Sequence, residues 1–156
     1  MTIIRVTTPQ GRLNTDQKRA LATTLTDAVL VPEVGQPMPP ARVGFQVHFN
    51  ELNTDSMAIN GELLSDEQAD VVTIDIAVMA AAWPAEVRTE VIRRVLAALA
   101  EACDMSAPGP LWWVNFRVID EGSWGSRGDV LSILDLLDTG VFTDERKEAI
   151  KAALNI

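Results

Sequence analysis

The feature that most constrains the fold is a duplicated order of elements: alternating apolar residues, a helical period, then a second alternation, all of it repeated. Ile3 to Thr7 alternates in the strand manner, Pro9-Gln10-Gly11 turns the chain, and Asn14 opens a helix with Gln17 at capping-box spacing. Leu21, Leu25, Ala28 and Val29 form its apolar stripe, and the prolines from Pro32 to Pro40 are expected to break it. Val43, Phe45, Val47 and Phe49 then alternate with Gly44, Gln46 and His48 as a half-buried strand, and Asn50 to Gly61 reads as turn or loop.

From Asp70 the order restarts. Val72, Ile74, Ile76 and Val78 alternate, Pro84 suits the first turn of a helix with Val87, Val91, Val95 and Leu99 inward, and Ala107-Pro108-Gly109-Pro110 ends that helical unit. Trp112, Val114, Phe116 and Val118 alternate next, and Gly122-Ser123-Trp124-Gly125 makes a glycine-rich loop. An offset of about seventy residues between matching patterns is the mark of a duplicated β-α-β unit. The expected fold class is therefore α+β: two fused β-α-β units forming a four-stranded sheet with two helices on one face, plus a C-terminal helix. The chain reads as a single domain of two repeats, at about 1–62 and 71–130, with Leu63 to Asp70 as linker and an extension over 131–156. In that extension Thr143 is the expected N-cap of a helix with Asp144 and Glu145 in its first turn.

The chain's 156 residues with 47% hydrophobic content suffice for a core without staples. The single cysteine, Cys103, permits no intramolecular disulfide, and no Cys/His spacing suggests a metal. The expectations are a reducing, cytoplasmic setting and neither metal nor cofactor. With no run long enough to span a bilayer and a net charge of −9 without clustered Lys or Arg, neither membrane nor nucleic acid is an expected partner. An anionic ligand would need a local cationic pocket.

The sheet face away from the helices should carry Arg5, Thr7, Arg42, Gln46, His48, Thr73, Asp75, Trp113, Asn115 and Arg117. That mixture is too polar for a core and richer in Trp and Arg than a plain solvent face, so it is expected to be buried between subunits.

Gly11-Arg12 at the first turn, Asp16-Gln17-Lys18 opening the helix, Ala41-Arg42-Val43 entering the next strand and Ile59-Asn60-Gly61-Glu62 after it resemble the tautomerase superfamily. The duplicated length, Gln10-Gly11-Arg12-Leu13, Thr26-Asp27-Ala28, Val47-His48-Phe49-Asn50-Glu51 and Trp112-Trp113-Val114-Asn115-Phe116 are most similar to its cis-3-chloroacrylic acid dehalogenase branch. The resemblance implies a homotrimer with an active site at each N-terminus. There an N-terminal proline amine acts as a base on enol or keto acids, or as an acid in adding water to haloacrylates.

This sequence departs from that pattern systematically. Thr2 stands at the proline's place, Val29 at that of a helix-end histidine, Ala80 and Trp83 near two substrate-binding arginines, Asn115 at a tyrosine and Ser123 near a loop glutamate. The resemblance thus implies a member of the branch that lacks its usual activities. The alternatives are a divergent tautomerase or hydratase acting on a small keto or enol acid, and a non-catalytic protein that binds a small molecule. Whether the chain is an enzyme stays open.

Thr2 is the candidate catalytic position, and Arg42, Trp83, Asn115, Arg117 and Trp124 are the candidate substrate-binding residues. Each has a structural reading beside the functional one. Arg42 and Arg12 suit surface or interface ion pairs, the commoner role of an arginine at a turn. His48, the only histidine, suits a hydrogen bond with its neighbours. Trp83, Trp113 and Trp124 suit packing as well as a pocket wall, and Cys103 suits a small buried side chain.

Overall fold

A computed structural model describes residues 1–156. The central sheet has four strands, β1 (Thr2–Pro9), β2 (Phe45–Leu52), β5 (Val72–Met79) and β6 (Trp112–Ile119), in the order β2-β1-β5-β6. Two short hairpins, β3–β4 (Ala58–Ile59, Glu62–Leu63) and β7–β8 (Gly125–Ser126, Asp129–Val130), each follow the second long strand of a unit. Helices α1 (Thr15–Val34) and α2 (Ala85–Ala102) connect the strand pairs, and α3 (Leu134–Leu137) and α4 (Asp144–Ala153) close the chain. No helix is long and apolar enough to cross a membrane.

Strand pairing shows the duplication directly. β1 pairs β2 in parallel, β5 pairs β6 in parallel, and the two units meet through the antiparallel pair β1 and β5. The hairpins repeat the same turn chemistry: Asn60-Gly61 and Arg127-Gly128 all have positive φ, the conformation a two-residue type I′ connection requires. Ile4 and Val6 of β1 and Val72, Ile74, Ile76 and Val78 of β5 are buried beneath Leu21, Leu25 and Val29 of α1 and Val91, Val95 and Leu99 of α2. On the opposite face the register lines up His48, Arg5, Asp75 and Asn115 across the sheet. Trp113 stands 56% exposed on β6, the fourth strand of that sheet.

Local signals account for the helix ends. Asn14 Oδ1 accepts from the Gln17 amide at 2.8 Å while the Asn14 amide donates to Gln17 Oε1 at 2.9 Å, so the capping box is complete. Thr143 likewise caps α4, accepting from the Arg146 amide.

The first helix does not break at Pro32. Pro32 lies in the last turn of α1, where its missing amide removes only one bond, and termination comes at Gly35, which adopts φ +83° and donates to Val31 O at 2.9 Å. The strand expected from Val43 starts at Phe45 instead. Pro39–Gly44 coils as a 3-10 turn that leaves Val43 91% exposed and takes Arg42 off the sheet. Within Asn50 to Gly61, β2 runs on to Leu52 and Ala58–Ile59 forms a strand. The expected linker is pinned by Leu64, which is buried.

Gly35 joins α1 to α4, because a Cβ on it would lie 2.5 Å from Thr143 Oγ1 and 2.9 Å from Arg146 Cγ. Gly35→Ala therefore combines left-handed strain with displacement of the α4 cap, and urea unfolding should show a loss of about 2 kcal/mol or more.

Candidate functional site

At the start of β1 the chain is enclosed rather than free. Thr2 pairs with Phe45 on one side and Val78 on the other, is 1% exposed, and its Oγ1 has no hydrogen-bond partner. The amino group of Met1 lies 3.5 Å from Met79 Sδ, and the Met1 carbonyl accepts from the Met79 amide. A cavity of about 370 Å³ opens here, and among the residues that line it are Thr2, Arg5, Gln46, Arg117, Ser123 and Trp124.

The two guanidinium groups set the electrostatics of this cavity. Arg5 and Arg117 take part in none of the chain's ion pairs. A cavity with two uncommitted arginines suits an anion, above all a carboxylate that can accept a forked pair of bonds. In an adjoining hollow, also lined by Arg5 and Arg117, Asn115 donates to Asp75 at 2.9 Å.

Thr2, Arg117 and Trp124 thus share one cavity, and Asn115 shares the neighbouring one with Arg117. Arg42 and Trp83 line neither. Arg42 donates to both carboxylate oxygens of Asp27 on α1, at 2.8 and 2.6 Å, and that contact holds the 3-10 turn to the helix. Trp83 is buried, donates its indole N–H to Met79 O at 2.8 Å and packs edge-on against Phe116 at 5.0 Å. Its place near the chain start arises through Met79, as a wall of the core.

The remaining candidates have local partners. Arg12 makes a forked pair with Asp70, which also accepts from Trp112 Nε1 at 3.0 Å, at the opposite end of the sheet from Thr2. The Arg12 hydrogen bonds hold the Asp70 carboxyl below its usual range. His48 bonds Gln46 at 3.0 Å on its own strand. Cys103 caps α2, half-buried, with its thiol 3.5 Å from an Arg12 nitrogen. Val29 is fully buried in the core, and Ser123 lines the first cavity.

Two charged residues that the sequence reading passed over lie behind the chain start. Glu33, in the last turn of α1, is 3% exposed, and its Oε1 has no partner. Burial pushes its carboxyl up to about 7, against the opposing pull of the N-terminal ammonium and Arg146. Arg146 of α4 is itself buried and donates to the carbonyls of Glu33 at 2.8 Å, Ala81 at 2.6 Å and Ala82 at 2.7 Å. A signal for both was present. Glu33 continues the Leu21, Leu25, Val29 spacing of α1, and Arg146 stands one helical turn before the buried Ile150, so each charge occupies an apolar-stripe position.

No protein-family model matches the sequence, and no curated protein matches it. Solved structures do. A member of the cis-3-chloroacrylic acid dehalogenase family, N1, superposes with a TM-score of 0.68 at 18% identity, covering 96% of this chain and 99% of that one. A fused 4-OT symmetric trimer gives a TM-score of 0.66 at 22% identity, covering 85% of this chain and 96% of that one. The macrophage migration inhibitory factor of Toxoplasma gondii gives 0.62 at 13% identity, covering 83% and 99%. These three share little sequence with the chain but nearly its whole path. The chain has the tautomerase, or macrophage migration inhibitory factor-like, fold in its two-unit form.

Proposed function

We propose that this chain is a homotrimeric member of the tautomerase superfamily, of the cis-3-chloroacrylic acid dehalogenase-like branch, whose usual proline mechanism is absent. One observation carries the reading: Thr2 fills the head of β1, buried and with an unpartnered hydroxyl, in a cavity lined by Arg5 and Arg117. Its side chain offers no ring amine, and Val29, Ala80 and Trp83 supply neither imidazole nor guanidinium to direct one. The polar row of His48, Arg5, Asp75 and Asn115, with the exposed Trp113 beside it, supports assembly through the open sheet face, and one structure of the same fold is a symmetric trimer.

The expected result with purified protein is no appreciable dehalogenation of 3-chloroacrylates and little ketonisation of phenylpyruvate or 2-hydroxymuconate. Robust turnover that disappears on acetylating the N-terminus would overturn the reading. Thr2→Pro, with removal of Met1 verified by mass spectrometry, asks a further question of the same cavity. A gain of tautomerase activity would mean that Arg5 and Arg117 can still hold an enol acid, whereas silence would trace the loss to the missing helpers as well.

The second reading, a divergent tautomerase or hydratase acting on a small keto or enol acid, is favoured by those two uncommitted arginines. Non-catalytic binding of such an acid uses the same groups. Saturable stabilisation by a keto acid without turnover separates binding from catalysis.

A further inference from the structure

A second cavity, of about 240 Å³, shares Met1, Val43 and Gly44 with the first but has a different chemistry. Its wall is mostly apolar, built by Leu30 and Val34 near the end of α1, Phe45 at the head of β2, and Leu136, Val141 and Phe142 from the chain that leads into α4. That wall is fixed in advance. Gln36 Nε2 donates to the Val141 carbonyl at 2.9 Å and the Thr143 amide donates to the Val34 carbonyl at 2.9 Å, so the chain is tied to the helix end on either side of Phe142. Val43, 91% exposed, also lines the cavity, and an occupant would withdraw part of its apolar surface from water.

Two charged side chains, Glu33 and Arg127, complete the lining, and they differ in what they offer an occupant. Glu33 is set against Arg146 and the N-terminal ammonium, and its Oε1 is sealed from solvent, so it acts as wall rather than as anchor. Arg127 is the reverse. It projects from the β7–β8 hairpin, is exposed, and takes part in none of the chain's ion pairs. The cavity therefore presents apolar walls with one unmatched cation at its edge, a pairing that suits an acid whose carboxylate meets the guanidinium fork while its apolar body lies inside. Engineered apolar cavities of about 150 Å³ take the six carbons of benzene, so by proportion this space holds a body of about nine carbons.

We infer that the Leu30, Phe45 and Phe142 cavity binds an apolar monocarboxylate, a saturated acid of about eight or nine carbons, with Arg127 as its anchor. The site is distinct from the cavity of Arg5 and Arg117, and the inference does not rest on what chemistry occurs at Thr2. Burial of the tail, not recognition of a keto or enol oxygen, supplies most of the affinity.

The test titrates butanoate, hexanoate, octanoate and dodecanoate, with octanol and octylamine, into the full chain at pH 7, below micellar concentrations, and follows methyl resonances by NMR. Each added CH₂ should tighten binding about three- to fourfold as far as octanoate. Dodecanoate should gain less than about tenfold more, because its last methylenes find no room, whereas an open apolar surface would give about a hundredfold. Octanoate should bind about threefold tighter than octanol, with octylamine weakest, and strong salt should shrink that preference. Arg127→Asn should bring octanoate to the level of octanol and leave octanol unchanged; asparagine before Gly128 suits the positive φ at this position, so the hairpin is kept. The methyl resonances of Leu30 and Leu136 should move saturably with octanoate. Octylamine binding as tightly as octanoate, an unbroken gain through dodecanoate, an undiminished octanoate preference in Arg127→Asn, or movement confined to Ile3 and Ile119 of the other cavity would each overturn the inference.

Discussion

Arg146→Ala is expected to lower the unfolding free energy by about 3–5 kcal/mol, the range for removing one member of a buried charge system. Three backbone carbonyls, of Glu33, Ala81 and Ala82, lose their donor at once, and they lie on two separate connections: the end of α1 and the turn between β5 and α2. Ala82 adopts φ +55°, so that turn holds a strained residue which the guanidinium helps to fix. Glu33 also loses a compensating charge. Arg146→Lys should recover only part of the loss, because an ammonium cannot match a planar fork that spans three carbonyls. Urea unfolding of both variants, with Glu33→Gln combined with Arg146→Ala, tests the coupling. The double variant should lose less than the sum of the single losses, and strict additivity would mean that the two charges do not sense one another.

The sheet was legible because its residues obey a simple period. Val72, Ile74, Ile76 and Val78 alternate with smaller or polar neighbours, and all four are buried against the helices. Asn14 with Gln17 and Thr143 with the acids after it were equally plain, since capping depends on side chains a few residues away. The misreadings came where local signals compete with context. Pro32 reads as a breaker, but in a last turn it withdraws a single hydrogen bond, and Gly35 sets the real end. Val43 fits the alternation of Phe45 and Val47, yet the prolines before it coil the backbone and leave its side chain in solvent.

The site was half legible for a related reason. Thr2, Arg117 and Trp124 meet in space because β1 and β6 flank β5 and because the chain returns past β6 toward the start of β1, which the repeated pattern implies. Arg42 was drawn in by its place in the resemblance and Trp83 by its aromatic ring, but ion-pair geometry with Asp27 and the burial of an indole against Phe116 keep them out of the cavity. Glu33 and Arg146 escaped because charge suggests a surface. Only their positions, on stripes otherwise filled by Val29 and Ile150, mark them as interior.

The interior position of Glu33 makes the chain's stability depend on pH in a direction opposite to that of a salt-bridged carboxylate. Burial raises the folded-state value to about 7 from an ordinary 4.5, against the N-terminal ammonium and Arg146. Between those values the folded chain holds a proton that the unfolded chain has released, so this group's contribution falls as pH rises through the window. It is fully present below the unfolded value and lost above about 7, with a span of roughly 3 kcal/mol from the size of the shift. Glu33→Leu removes the proton linkage together with the carboxyl. Urea unfolding at pH 5 and pH 8 should therefore show wild type losing about 2–3 kcal/mol relative to Glu33→Leu on going to the higher pH. Glu33→Gln, which keeps the shape and stays neutral, should follow the leucine variant in slope. Parallel pH profiles for wild type and both variants would place the carboxylate in contact with water or with a cation, contrary to its enclosure behind Met1. Arg146→Ala carries the same logic further: with one opposing cation gone, the folded-state value of Glu33 should rise again and the pH dependence steepen.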